Sequence, residues 1–170
     1  PGIIDSHVHI RELGMDSLKA NLVGVSSVKE MVERLKDKFP SPAAGDWLIG
    51  QGWDEGSFAS TAYPDRRLLD IAFPNNPVAL ESLHGFAGLY NGYALKLANI
   101  DSSTKDPEVG NIIRRMNGEP TGVMLTLAQN LIRPFIPEPS NEKIKDAISK
   151  TKRRHWCFGI FFKFNKGTIK

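Results

Sequence analysis

Apolar residues along the chain fall into short blocks that follow two different periods. Gly2-Ile3-Ile4 is a short β-branched run behind a breaker and predicts a buried strand. Val28, Met31, Val32 and Leu35 recur at helical spacing behind Ser27-Val28-Lys29-Glu30, a Ser-x-x-Glu capping box. They predict a helix to about Phe39, stopped by Pro40 and Pro42. Residues 46–53 predict a strand whose glycines mark a bulge or a close backbone approach. A short helix is expected through Leu68, Leu69 and Ile71, with Pro64 in its first turn and Pro74 ending it. Residues 77–83 predict another strand, with His84 just past its end. Residues 87–97 carry Leu89, Tyr90, Tyr93, Ala94 and Leu97 in a helical pattern. Residues 112–124 predict a hairpin about Asn117-Gly118, a pair suited to a type I′ turn, whose two central residues both need positive φ. A helix is expected near 125–133, broken by Pro134, Pro137 and Pro139. Ser140 or Asn141 caps a further helix with Ile144, Ala147 and Ile148 on one face. Residues 11–24 read as loop. Strands alternating with helices argue an α/β fold.

Composition narrows the class. The chain has 170 residues, 41% hydrophobic and 24% charged, a soluble globular composition large enough for one core. No stretch approaches the ~18 consecutive apolar residues of a membrane span. The first residues lack a basic segment followed by a long apolar one, so no signal peptide is read and a cytoplasmic location is expected. A single cysteine, Cys157, excludes an internal disulfide framework and a cysteine-based zinc cluster.

The net charge of +3 is uneven. Lys150, Lys152, Arg153, Arg154, Lys163, Lys166 and Lys170 end the chain with no acid among them. The remainder keeps 15 of the 22 basic residues against all 19 acidic ones, a net of −4. A basic groove for nucleic acid, or a basic face for an anionic membrane, has no support in that body.

The chemistry is concentrated at the start, in PGIIDSHVHI. Residues i and i+2 of a strand share a face, so His7 and His9 would project together and Val8 away. Two neutral imidazoles converging on one point make half of a metal site. Asp5 falls on the same face and could orient a ligand or accept backbone hydrogen bonds. The bland alternative is two ordinary histidines with no metal.

Four stretches, in this order, resemble one family: PGIIDSHVHI, GDWLIGQGWDE, NNPVALESLHGFAGLYNGYAL and NGEPTGVM. Together they are similar to the N-terminal part of family 3 of the metal-dependent amidohydrolases, over roughly residues 1–150. His-x-His alone would also suit TatD-type nucleases and PHP-type phosphoesterases. The resemblance implies a (β/α)₈ barrel with a small β-sandwich and an insertion after the first strand. It implies hydrolysis of a non-peptide C–N bond in a small amide-type substrate, by water activated on one or two divalent ions, Zn²⁺ by expectation. His7 and His9 carry over as metal ligands at the C-terminal end of the first barrel strand, where active sites of this fold sit.

A full barrel needs ~250 residues. The expectation is therefore a partial barrel, the first strand plus the insertion, truncated at both ends. Residues 1–160 would be a partial catalytic domain and 161–170 an aberrant or disordered basic tail. Two departures stand out. Thr126 occupies a position where the family usually carries glutamate. The ending WCFGIFFKFNKGTIK leaves the family's FGITSV-like phrase after Ile160.

Trp53, Asp54, His84 and Asn91 are candidates for substrate binding. Each has a structural alternative: Trp53 in the core, Asp54 capping a loop, His84 as a satisfied polar group at a strand–helix junction, Asn91 capping a helix. The competing functional readings are a different His-x-His barrel hydrolase acting on phosphoesters, and an inactive remnant. The −4 body argues against a nuclease.

Overall fold

The computed structural model describes residues 10–58 and 63–156, and these fall into two units. His7, His9, the strand expected at Gly2–Ile4 and the tail 161–170 lie outside the described residues.

The larger unit, residues 19–138, is built on a six-stranded mixed sheet. Its strands are β1 (Ala20–Asn21), β2 (Leu48–Trp53), β3 (Val78–Ser82), β4 (Ala87–Tyr90), β5 (Gly110–Arg114) and β6 (Pro120–Thr126), in the order β1-β2-β3-β4-β6-β5. β1, β2 and β3 run parallel, whereas β4, β6 and β5 pair antiparallel. Parallel neighbours need crossover connections. Helix α2 (Val28–Lys38) supplies the first, and α3 (Arg67–Ala72) lies in the second.

The strand alternation sorts side chains onto two faces. Leu48, Val78, Leu80, Ala87, Leu89 and Val123 join Met31, Val32 and Leu35 of α2 and Leu69 of α3 in one core. Ala79, Tyr90, Met124 and Ile112 join Ala94 and Leu95 of helix α4 (Gly92–Leu97) and Ala128 and Ile132 in the other.

Helix α2 forms as its sequence predicts. The Ser27 hydroxyl accepts from the Glu30 amide, and Glu30 reaches back to the Ser26 amide rather than to that of Ser27. That Ser26 amide is the chief reason the Glu30 carboxyl lies below its ordinary pKa, with Arg34 assisting. The bulge in β2 is real: the register with β3 shifts between Gln51 and Trp53, and Gly52 takes φ +98°.

The structure corrects several expected elements. Residues 87–97 are not one helix. β4 runs Ala87–Tyr90 and α4 begins only at Gly92. All four β4 residues are buried, so the strand has no polar face to give a period of two, and the apolar run merges with the helix behind it. The helix expected near 125–133 is instead the end of β6 followed by short 3₁₀ turns at Leu127–Leu131 and Arg133–Phe135. The short helix near 67–72 starts after Pro64, which lies outside it.

The hairpin exists, but Asn117 and Gly118 do not make a two-residue turn. Gly118 N–H donates to Arg115 O (2.9 Å), Arg115 N–H donates to Glu119 O (2.8 Å), and of the pair only Gly118 has positive φ. That is a three-residue loop ending in a left-handed glycine.

Among the described residues, the other unit comprises 10–18 and 139–156. Within it, α1 (Ile10–Asp16) replaces part of the expected loop, and α5 spans Asn141–Trp156. The two pack together at Gly14, where a Cβ would stand 2.9 Å from Cγ1 of Ile148. Ser140 caps α5 through its hydroxyl, which accepts from the Lys143 amide, and Ile144 and Ala147 are buried as their spacing predicts.

Candidate functional site

β2 and β3 end side by side: Trp53 pairs with Ser82, and Leu83 N–H donates to Trp53 O at 2.7 Å. Asp54 and His84 therefore stand at the carboxyl ends of adjacent parallel strands, the edge at which open α/β sheets bind ligands. His84 is exposed in the turn that reverses the chain into β4. Ser82 closes that turn, its carbonyl accepting from Gly85 N–H and its hydroxyl from Ala87 N–H. Asp54 is half-buried and caps the 3₁₀ turn Glu55–Ser57, its carboxylate accepting from Gly56 N–H at 3.0 Å.

Trp53 belongs to the core. Its side chain is fully buried, its indole N–H donates to Leu80 O at 3.0 Å, and its ring stacks near Phe58 with centroids 6.3 Å apart. A ring so enclosed holds the end of β2 against β3 and offers no face to a substrate.

Asn91 lies at the opposite end of the sheet. β4 runs antiparallel to β3, so the residue after it returns to the start of β3, a strand length of about 17 Å away from His84. Its side chain is fully engaged. Oδ1 accepts from Val78 N–H (2.9 Å) and Ala94 N–H (3.1 Å), while Nδ2 donates to Asn76 O (2.9 Å) and Phe73 O (3.3 Å). That exhausts the two donors and two principal acceptor sites of the amide. Asn91 is thus the cap of α4, the structural alternative weighed for it, and a strut between three segments. A cleft of about 650 Å³ does open beside it, lined in part by Asp70, Phe73, Tyr93, Lys96 and Leu97.

The four candidates therefore do not converge on one point. Asp54 and His84 share an edge, Trp53 supports it from within, and Asn91 is remote.

Sequence reasoning passed over a group at the same edge, on the other face of the sheet. Glu81 of β3 lies opposite Gly88, and the ring of Tyr90 lies back across Gly88. A Cβ at Gly88 would meet the Tyr90 hydroxyl at 2.5 Å. Arg133 approaches from the 3₁₀ turn beyond β6, its guanidinium 4.0 Å from the Glu81 carboxylate. Burial pushes the Tyr90 phenol well above its ordinary pKa, with Arg133 opposing and Glu81 adding to the shift. The phenol is a neutral donor. The signal in the sequence is the Gly-Leu-Tyr alternation, which the helical pattern of residues 87–97 masks.

Among the described residues no group of three His, Cys, Asp or Glu side chains could hold a metal ion. Among them, too, no helix is long and apolar enough to cross a membrane.

Comparison with known proteins places these observations in context. A model described as "Amidohydrolase family" matches residues 1–167. YtcJ of Bacillus subtilis (strain 168), named as an amidohydrolase, is 34% identical over 160 residues, covering 94% of this chain and 30% of that protein. LONG AFTER FAR-RED 3 of Arabidopsis thaliana is 35% identical over 160 residues, covering 94% and 27%. The N-substituted formamide deformylase of Arthrobacter pascens is 31% identical over 134 residues, covering 78% and 25%. A solved metal-dependent hydrolase from Pyrococcus furiosus superposes with a TM-score of 0.62 at 27% identity, covering 94% of this chain and 30% of that one. The chain thus spans under a third of the length of each of these proteins.

Proposed function

This chain belongs to the amidohydrolase family, and from that premise we propose that it is part of a metal-dependent hydrolase of non-peptide C–N bonds in small amide-type substrates. The carrying observation is the match over residues 1–167, which includes the His-x-His pair and every segment of the described sheet. The deformylase among the relatives supports the bond type, since removing a formyl group from an N-substituted formamide cleaves a C–N bond. The architecture follows the same reading: His7 and His9 end the first strand of a (β/α)₈ barrel, residues 1–160 belong to its catalytic domain, and the sheet at 19–138 is the insertion after that strand.

The donor chemistry fits a divalent ion, Zn²⁺ in our reading. Neutral imidazoles are good zinc ligands. A metal held there would lower the pKa of a bound water to ~7 and polarise the scissile carbonyl. His7 and His9 would bind it through ring nitrogens. Asp5 would orient them by accepting a ring N–H. A catalytic zinc keeps three protein ligands, so two histidines bind the ion without completing the site.

Two measurements test this. Calorimetric titration of the chain with Zn²⁺ should show binding that His7→Ala/His9→Ala abolishes. Exchanging this chain for the matching segment of the Bacillus subtilis relative should give a protein that hydrolyses N-substituted amides, and the same double substitution should silence it. Zn²⁺ binding unaffected by the double substitution would refute the ligand assignment. A folded, metal-loaded chimera that cleaves phosphoesters but no amide would refute the bond type.

A further inference from the structure

Tyr90 is 4% exposed, yet among the described residues its hydroxyl makes no hydrogen bond. A buried hydroxyl without a partner is costly. No fully enclosed polar side-chain atom in the described residues lacks a partner, so the tip of this phenol still reaches open space. It does so at the carboxyl end of β3, on the face that carries Glu81.

The surroundings are built rather than accidental. Gly88 lets the ring lie flat on its own strand, because any side chain there would collide with it. Gln129 is 3% exposed and donates from one nitrogen to Gly85 O (2.9 Å) and Thr126 O (3.3 Å). It thereby ties the 3₁₀ turn Leu127–Leu131, which precedes the turn that carries Arg133, to the β3–β4 turn. Thr126, at the junction, takes φ +49° and ψ −123°, a conformation unusual for a β-branched residue. Its N–H donates to Phe86 O at 2.7 Å. Backbone strain of this kind persists where surrounding contacts hold it, and it gathers at ligand sites.

We propose that Tyr90, Glu81 and Arg133 form a recognition notch for the edge of an amide, one carbonyl oxygen and one N–H. The phenol donates to the carbonyl and the Glu81 carboxylate accepts the N–H. Arg133 adds a second donor at the carbonyl side. Charge selects this class. The trio is neutral overall, so a carboxylate ligand would compete with Glu81 for Arg133, and an ammonium with Arg133 for Glu81. A neutral amide displaces neither. The Glu81–Arg133 pair costs little to open, at 4.0 Å and with side chains 45% and 58% exposed. The inference deepens the amide-hydrolase reading and takes from it only the choice of ligand.

The test uses the 170-residue chain and N-methylacetamide as probe, with acetate as comparator, followed by backbone amide shifts of Glu81, Gly85 and Gly88 in NMR. N-methylacetamide should give saturable shifts and bind more tightly than acetate. Tyr90→Phe should weaken binding about fivefold, the worth of one ordinary hydrogen bond, and leave the urea midpoint unchanged. Arg133→Gln, at an exposed position, should also weaken it. Linear, unsaturable shifts would mean that the phenol holds a solvating water only, which overturns the proposal. So would an affinity unchanged in Tyr90→Phe, or tighter binding of acetate. Saturable binding in a chain whose chimera hydrolyses no amide would retain the notch and remove the catalytic reading. Amide hydrolysis without saturable binding here would do the reverse.

Discussion

Replacing Asn91 with alanine should unfold much of the larger unit's stability. The side chain is fully buried and holds four backbone groups: the amides of Val78 and Ala94 and the carbonyls of Phe73 and Asn76. Loss of a helix cap alone costs about 1 kcal/mol. Each buried backbone group left without a partner costs about 1–3 kcal/mol more. Phe73, Asn76 and Val78 are themselves buried, so water cannot readily replace all the lost bonds. If two of the four stay unsatisfied, the total is about 3–7 kcal/mol, at the upper end for single substitutions. With a urea m-value of about 2 kcal/mol per M, that moves the midpoint down by about 1.5–3.5 M. Amide exchange at Val78 and Ala94 should accelerate in step. Asn91→Asp separates the halves of the interaction. It keeps Oδ1 as acceptor for the two amides but sets a second oxygen against the two carbonyls, so it should cost about as much. A midpoint shift under about 0.5 M for Asn91→Ala would refute the strut. Unchanged stability with weakened amide binding would return Asn91 to the substrate site.

Other consequences are as direct. Gly122→Ala should cost about 3 kcal/mol or more, visible as loss of folded protein in circular dichroism. Gly122 has φ +98°, and a Cβ there would meet Tyr90 O at 2.3 Å; a wild-type melting curve would refute the crowding. Burial works to raise the pKa of Asp65, but hydrogen bonds from Arg115 and from the Arg67 amide outweigh it and hold the carboxyl below its ordinary range. The stabilisation is therefore complete above the unfolded-state value of about 3.9 and lost as pH falls through the lower folded value. The gap in urea midpoint between Arg115→Gln and wild type should be constant near neutrality and close below about pH 4; a gap unchanged down to acid denaturation would rule out the charge. Finally, the 170-residue chain with Zn²⁺ should show no turnover of N-acyl amino acids or N-substituted amides above a His7→Ala/His9→Ala control, because a catalytic zinc needs three protein ligands. Turnover above that control would mean that the site is complete within these residues.

The sequence was most legible where local chemistry decides local structure. The Ser27 box started α2, Gly52 marked the bulge in β2, and Ser140 started α5, because a cap or a positive φ is fixed by one or two residues. It was least legible where tertiary burial erased periodicity. β4 is buried on both faces, so its apolar residues ran without a break into α4 and gave one long helical pattern. Thr126 hid another boundary. Nothing local predicts a positive φ at a β-branched residue, yet that residue turns β6 into a 3₁₀ segment. The family was legible despite these errors, since it rests on several ordered stretches rather than on element boundaries.

The misread junction had a further effect on the site. A helix over residues 87–97 leaves Asn91 open to either substrate binding or helix capping and makes Tyr90 one of several positions on its apolar pattern. The strand settles both. Because β4 runs back along β3, it carries Asn91 away from His84 to the start of β3, where the amide is consumed by backbone. The same reversal brings Gly88 opposite Glu81 and lets the Tyr90 ring extend toward the edge that His84 occupies. Dense family resemblance around GLYNGYAL therefore marks a structural joint at Asn91. Among the described residues the Tyr90 hydroxyl makes no hydrogen bond, and Arg133 is held only by Asn130 Oδ1 at 3.4 Å and Glu81 at 4.0 Å, so the proposed notch keeps polar groups open to a ligand.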